Sequence, residues 1–268
     1  MIIWLNGLIK PNETGRIDPT DRGFTLGDGV FETIRVVNRQ PQHFERHLQR
    51  LRTGLALLAI PFEMKDVDLS EAISLVLKAN HLYNAAIRLT VSRGPSPRGI
   101  IPAIDAIPTV LIAASPLPDP ITPVNAVVCT VTRRNEMSPL SRIKSLNYLD
   151  SILARQEANH RGADDALLLN TRGYVAEATA SNIIVFRSDQ IVTPPLTHGA
   201  LPGIMRSIFM EKYGAIEAPL LVEDLLASNA ILLVNSLMLR PLVSIDGREL
   251  ATRSECFVEI THQVMEGI

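Results

Sequence analysis

Ser141–Phe186, SRIKSLNYLDSILARQEANHRGADDALLLNTRGYVAEATASNIIVF, holds a lysine, a helix and a pair of apolar strands joined by a tight turn. Lys144 has no acidic residue within five positions, and Asp150 is the first carboxylate after it. A helix reads over residues 147–161, ended by Gly162, and strands over Ala166–Asn170 and Ser181–Phe186. Glu177 stands at the head of the last apolar run. A lysine that attacks an aldehyde must first lose its proton, which requires apolar or electropositive surroundings. Arg142, Ile143 and Leu146 supply both in sequence.

The rest of the chain narrows the chemistry. Lysine is scarce: Lys10, Lys65, Lys78, Lys144 and Lys212 are the only ones among 26 basic residues. The chain of 268 residues is 46% hydrophobic and 20% charged, as in a globular protein of one or two domains. A net charge of −2 gives no general attraction for nucleic acid or an anionic membrane, and neither is expected as a partner. Cys129 and Cys256 are too few for a disulfide framework, so a reducing cytoplasm is the expected location. The six histidines form no ligand cluster, and no metal is expected. The opening MIIWLNGLIK has no basic leader or long apolar core and does not read as a signal peptide.

Before the lysine, Ile2–Lys10 reads as a hairpin turning at Asn6-Gly7. Residues 11–22 read as a loop, and the glycines of Arg22–Gly29 permit close backbone approach. Phe31–Val37 is a strand that turns at Asn38-Arg39. Phe44, Leu48, Leu51, Leu55 and Leu58 recur at helical spacing, predicting a helix over 43–59 stopped by Pro61. A second helix runs from Asp68 to His81, with Asp68 or Ser70 as its cap. Strands follow at Ala85–Ser92 and Thr109–Ala114. SPLPDPITP, residues 115–123, is a stiff connector between a domain over 1–114 and one over 124–268. Beyond it the pattern predicts strands at Val124–Thr132 and Ile231–Asn235 and helices at Pro202–Tyr213 and 223–228. A hairpin at Asp246-Gly247 and a terminal helix from about Ser254 close the chain. Such mixed elements imply two α/β or α+β domains.

Several motifs together resemble the class IV aminotransferases, the fold-type IV enzymes of pyridoxal 5′-phosphate (PLP). They are Lys144-Ser-Leu-Asn-Tyr-Leu, V-x-E-x-x-x-x-N at Val175–Asn182, H-x-x-R-L at His47–Leu51 and L-P-G-I-x-R at Leu201–Arg206. The resemblance implies a smaller N-terminal α/β domain and a larger C-terminal mixed-sheet domain that binds PLP. It implies that Lys144 carries the cofactor and serves as the base, with Tyr148 near the cofactor's 3′-oxygen. It sets Glu177 against the pyridine nitrogen, 33 residues after the lysine, where a carboxylate keeps the ring protonated. Arg50, Gly203, the N–H groups of Ile204 and Met205, and Ser236 fall where the family holds the phosphate. A homodimer is implied as well, with the loop near Arg98 reaching the partner's site.

Substrate residues are read from the same likeness. D-amino acid aminotransferases trap the substrate carboxylate with an arginine, a histidine and a tyrosine; here Arg98 is present, but Ile100 and Phe31 stand at the other two positions. Gly27–Thr33, the R-G-x-x-x-R-G loop from Arg93 to Gly99, and Asn235–Met238 look more like the aminodeoxychorismate lyase branch. Arg240, before Pro241, departs from that branch; it is either a surface residue or a second anchor for a dianionic substrate. The expected activity is therefore release of pyruvate and 4-aminobenzoate, a step of folate synthesis. A transaminase of branched-chain or D-amino acids using 2-oxoglutarate is the alternative. A non-catalytic binding protein should have lost Lys144, Glu177 or Arg50, and all three remain.

Overall fold

The computed structural model describes residues 1–118, 123–187 and 190–251. Backbone contacts divide the chain into two compact units: Met1–Pro118 with Ile143–Asn147, and the remainder. The short segment around Lys144 thus packs with the first unit, not with the second where the linker placed it.

The first unit is built on a six-stranded antiparallel sheet. Its elements are β1 (Ile2–Leu5), β2 (Leu8–Pro11), a short helix α1 (Arg22–Leu26), β3 (Gly29–Val37), β4 (Gln40–Pro41), α2 (Phe44–Leu57), α3 (Asp66–Ala79), β5 (Ala85–Ser92) and β6 (Thr109–Ser115). The spatial order is β2-β1-β6-β5-β3-β4. The hairpin turns at Asn6-Gly7 and Asn38-Arg39 carry positive φ at both central residues, as a two-residue turn matched to strand twist requires. Along β3, Val30, Ile34 and Val36 point into the apolar core with Leu48, Leu51 and Leu55 of α2 and Leu69, Ile73 and Leu77 of α3. Phe31 belongs to the opposite face by the alternation of a strand.

Two boundaries differ from expectation. α2 ends before Pro61, because Ala59 adopts a left-handed φ of 51° and the Ile60 N–H bonds to the Leu55 carbonyl at 2.9 Å. α3 begins at Asp66, with Lys65 as the cap residue. Asp68 acts from inside the first turn, accepting the Lys65 N–H at 3.0 Å. Arg22–Leu26, expected only to allow close backbone approach at its glycines, is a helical turn whose Gly23 N–H donates to Asp21 at 2.7 Å.

The second unit contains β7 (Val124–Val128), α4 (Leu149–His160), β8 (Asp165–Leu169), β9 (Val175–Ala178), β10 (Asn182–Phe186), β11 (Ile191–Thr193), α5 (Ile204–Tyr213), β12 (Ile216–Glu217), α6 (Val222–Leu226), β13 (Ala230–Val234), β14 (Leu239–Ile245) and β15 (Arg248–Glu249). They form a nine-stranded sheet in the order β12-β11-β10-β13-β14-β7-β8-β9, with β15 paired to β14. It is mixed: β7 runs parallel to both β8 and β14, whereas β8–β9 and β10–β13 are antiparallel. The strands read as continuous apolar runs because both faces are covered; β10 and β13 are buried at every position. Glu177 lies inside β9, a strand of its own, and does not head the strand that contains Asn182. The C-terminal helix expected from about Ser254, and Cys256 with it, lie outside the described residues, as does part of the expected linker.

β7 stops at Val128, four residues before the expected end, because Glu157 of α4 draws the chain aside. Its carboxylate accepts from the Thr130 N–H at 2.9 Å, the Thr130 hydroxyl at 2.7 Å and the Val131 N–H at 3.2 Å. Burial alone would raise this carboxyl, but the Thr130 donors, the Cys129 thiol and the Val131 N–H bring it from 4.5 down to about 2. A depressed acid stabilises the fold above its unfolded pKa and loses that contribution as pH falls through the folded one. Glu157→Gln should lower stability at neutral pH by about 2 kcal/mol, allowing for solvent screening. Urea unfolding across pH should show the gap between variant and wild type closing from pH 4.5 towards 2; a gap independent of pH would refute the ionised contact.

Candidate active site

Lys144 is fixed by backbone bonding before its side chain does anything. The Phe31 N–H donates to the Lys144 carbonyl and the Leu146 N–H to the Gly29 carbonyl, both at 2.9 Å, so Val30 and Ser145 form an antiparallel bridge. Residues 144–146 thereby extend the sheet along the part of β3 that β4 does not reach. Gly29 is required here: a Cβ on it would lie 2.5 Å from the Val91 carbonyl and 2.8 Å from the Leu146 side chain. Lys144 Nζ then sits 4.3 Å from the centre of the Phe31 ring, and the Arg88 guanidinium of β5 sits 3.4 Å from the same centre. The ring is 3% exposed, and both distances fall within the ~6 Å over which cations are attracted to an aromatic face.

Arg50 lies on α2 over the other face of β3. Its Nε and one terminal nitrogen donate to the two oxygens of Glu32 at 2.8 and 2.6 Å. His47 Nδ1 lies 2.6 Å from the same carboxylate. Burial pushes the Glu32 carboxyl up, but Arg50 and His47 outweigh it and hold the acid below its usual range. Arg98 is exposed on the loop after β5, as is Ile100. That loop is anchored elsewhere: Arg22 donates to the Gly99 and Ile100 carbonyls at 2.8 Å each and to Asp28 at 2.8 Å, while Arg93 forks onto Asp28 at 2.7 and 3.1 Å. Burial raises the Asp28 carboxyl, yet the two arginines keep it below the ordinary value.

In the second unit, Glu177 is 8% exposed and both of its oxygens are engaged. Oε1 is 3.0 Å from Arg134 Nε and Oε2 accepts the Leu201 N–H at 2.8 Å. Arg134 also donates to the Gly199 and Ser141 carbonyls, tying β9 to the approach to α5. The corner after Glu177 is held by Asp165, which accepts from the Thr179 hydroxyl at 2.6 Å and pairs with Arg155 at 2.7 Å. Arg240 lies half-buried on β14, 4.0 Å from Asp165, so it is no surface residue. Ser236 occupies a turn closed by Asn235, whose Oδ1 accepts the Leu237 and Met238 N–H groups at 2.9 Å each. Tyr148 is the residue before α4.

The start of α5 is suited to an anion. It has no side-chain cap, and the first bond within the helix runs from Ser207 to Gly203, so the Ile204 and Met205 N–H groups have no acceptor inside it. Arg206, of the same motif, turns away to Glu217 and the Pro194 carbonyl and braces the helix instead. The donor set fits PLP: an N–H-lined helix start for phosphate, and a carboxylate paired with a guanidinium.

The sequence model described as "Amino-transferase class IV" matches residues 29–245. A Methanocaldococcus jannaschii protein provisionally named as a branched-chain-amino-acid aminotransferase is 31% identical, the match covering 99% of this chain and 94% of that one. The aminodeoxychorismate lyase of Vibrio harveyi is 30% identical, with 88% of each chain covered. Among solved structures, the branched-chain aminotransferase of Thermoproteus uzoniensis with norvaline superposes with a TM-score of 0.91 at 28% identity, over 99% of this chain and 94% of that one. The chain belongs to the class IV aminotransferase family and has its two-unit α/β fold; PLP is the cofactor of that family. Among the described residues no group of side chains could hold a metal ion, and no helix is long and apolar enough to cross a membrane.

Arg134 was not singled out from sequence, and Glu32, His47 and Asn235 entered only as members of motifs, because each acts through a partner elsewhere in the chain or through its own local turn. Gly203 gives a direct check. A Cβ there would fall 1.8 Å from Asn182 Oδ1, and Asn182 is held by its own bond to the Leu201 carbonyl at 2.9 Å. Gly203→Ala should lower stability by about 1–3 kcal/mol and shorten PLP retention, measured by thermal melts and by dialysis. Unchanged values in both would show that the helix start yields to the methyl group.

Proposed function

We propose that the chain is a PLP-dependent 4-amino-4-deoxychorismate lyase, which converts its small-molecule substrate to 4-aminobenzoate and pyruvate. The observation that supports this reading is Phe31, which sets an aromatic face against Lys144 Nζ at 4.3 Å. A substrate whose amine sits on a ring carbon has no α-carboxylate beside that amine, so it needs no phenol hydroxyl there. A flat apolar surface suits its ring. Arg88, on the same aromatic ring, is a cation matched to a carboxylate of such a substrate.

When bound, PLP supplies an aldehyde that takes up the amine and a protonated ring that accepts electrons from the breaking bond. Lys144 is the point of attachment and then the general base that removes the proton from the amine-bearing carbon. The C–O bond to the enolpyruvyl group breaks as the substrate ring becomes aromatic, and the departing enolate gains a proton to become pyruvate. Glu177, paired with Arg134 and the Leu201 N–H, would hold the proton on the pyridine nitrogen. Arg50, Gly203, Ile204, Met205 and Ser236 are assigned to the phosphate, and Tyr148 to the 3′-oxygen. Arg98 and Arg240 are assigned to substrate carboxylates, with Arg98 contributed across a homodimer. The relative from M. jannaschii supports a second reading, transamination of branched-chain amino acids, which needs the same lysine and glutamate.

Purified enzyme given aminodeoxychorismate should release 4-aminobenzoate and pyruvate in equal amounts. Turnover of leucine or D-alanine with 2-oxoglutarate, the chorismate compound being left untouched, would replace the lyase by the transaminase. Lys144→Ala should abolish borohydride-reducible attachment of the cofactor. Mixing Arg98→Ala with Lys144→Ala subunits should restore part of the activity through hybrid dimers; no recovery despite proven subunit exchange would count against a shared site.

A further inference from the structure

Glu32 is the most deeply buried acid of the first unit, at 0% exposure, and it stands on the helix-covered face of β3 among Val30, Ile34 and Val36. A carboxylate in such a place is costly, and pairing it with a guanidinium rarely stabilises more than an apolar residue of the same size would. What a two-bonded fork does supply is orientation. Both oxygens of Glu32 are used on the Nε edge of Arg50, at 2.8 and 2.6 Å, and His47 Nδ1 closes on the second oxygen at 2.6 Å. Arg50 itself is 10% exposed on its side chain, so its guanidinium plane is set by a group that sits wholly beneath it. His47 is 1% exposed and reaches nothing but this interior. An arginine at the same point of α2 without this fork would keep its charge but lose the direction the fork gives it.

We propose that Glu32, seconded by His47, is the positioning residue that aims Arg50 at the cofactor phosphate, so that the chain's preference for PLP over phosphate-free pyridoxal depends on Glu32. This rests on Arg50 being a phosphate ligand, and the test separates the two claims. Glu32 carries a negative charge, so by charge alone its removal would strengthen phosphate binding. Positioning predicts the opposite sign.

Apo-protein of the full chain is titrated with PLP and, separately, with pyridoxal, and binding is followed by the absorbance of the lysine-bound cofactor. Glu32→Gln should weaken PLP binding by about 10- to 100-fold, the range typical of lost outer-shell partners, and leave pyridoxal binding within about twofold. Arg50→Met should lower the same ratio, and the double variant should be no worse than Arg50→Met alone, because residues acting through one another are not additive. If Arg50→Met leaves the ratio unchanged, Arg50 is no phosphate ligand and the assignment beneath the proposal fails. If Arg50→Met lowers the ratio but Glu32→Gln does not, raises it, or adds fully to Arg50→Met, the positioning role is overturned. Should Glu32→Gln not fold, Glu32→Asp keeps the charge but shortens the reach. It should then lower the PLP-to-pyridoxal ratio, and an unchanged ratio would refute the proposal.

Discussion

Two backbone hydrogen bonds, from Phe31 to Lys144 and from Leu146 to Gly29, place the lysine at the head of β3. They are main-chain bonds on the edge of an antiparallel sheet, so the position of Lys144 is as rigid as the sheet itself. A lysine side chain has four rotatable bonds and little intrinsic direction. Anchoring its own carbonyl and the N–H two residues on, and setting an aromatic ring 4.3 Å from its nitrogen, removes much of that freedom. The same bonds explain why a five-residue piece of chain beyond the linker packs with the first unit.

A second constraint recurs in both units. Glu32, Asp28, Asp165 and Glu177 are mostly withdrawn from water, and each is met by at least one arginine: Arg50, Arg22 with Arg93, Arg155, and Arg134. A buried carboxylate is tolerable only when its lone pairs are filled, and the forked guanidinium fills two at once. This gives a chain with five lysines and many arginines a structural logic. Arginine, whose planar fork matches a carboxylate, holds these charges in place. The chemistry common to the class IV family needs an attached lysine, a ring-facing carboxylate and a phosphate cradle. Of the residues proposed for these roles, Lys144 is tied by its backbone to β3, Glu177 by Arg134 and Arg50 by Glu32.

Local rules were readable along the chain. Asn6-Gly7 and Asp246-Gly247 turn because their backbones accept positive φ; α2 follows from apolar spacing, and α5 is bounded by glycines. Lys144, Glu177, Arg50 and the Gly203–Met205 start stood out because their motifs are short and contiguous. Ala59 as a left-handed helix stop, Lys65 as a cap and the early end of β7 did not, since each is set by a hydrogen bond whose value depends on competing partners nearby.

The order of residues in this chain dictated its helices, its turns, its apolar strands and the family to which its motifs belong, because those depend on neighbours a few positions away. It could not say that Lys144 packs with the first unit, that Glu32 lies under Arg50, that Arg134 meets Glu177 or that Arg240 turns towards Asp165. Those pairings join segments 18 or more residues apart. Strand order and register bring such groups together, and a buried charge finds its partner only when the sheet has closed around it.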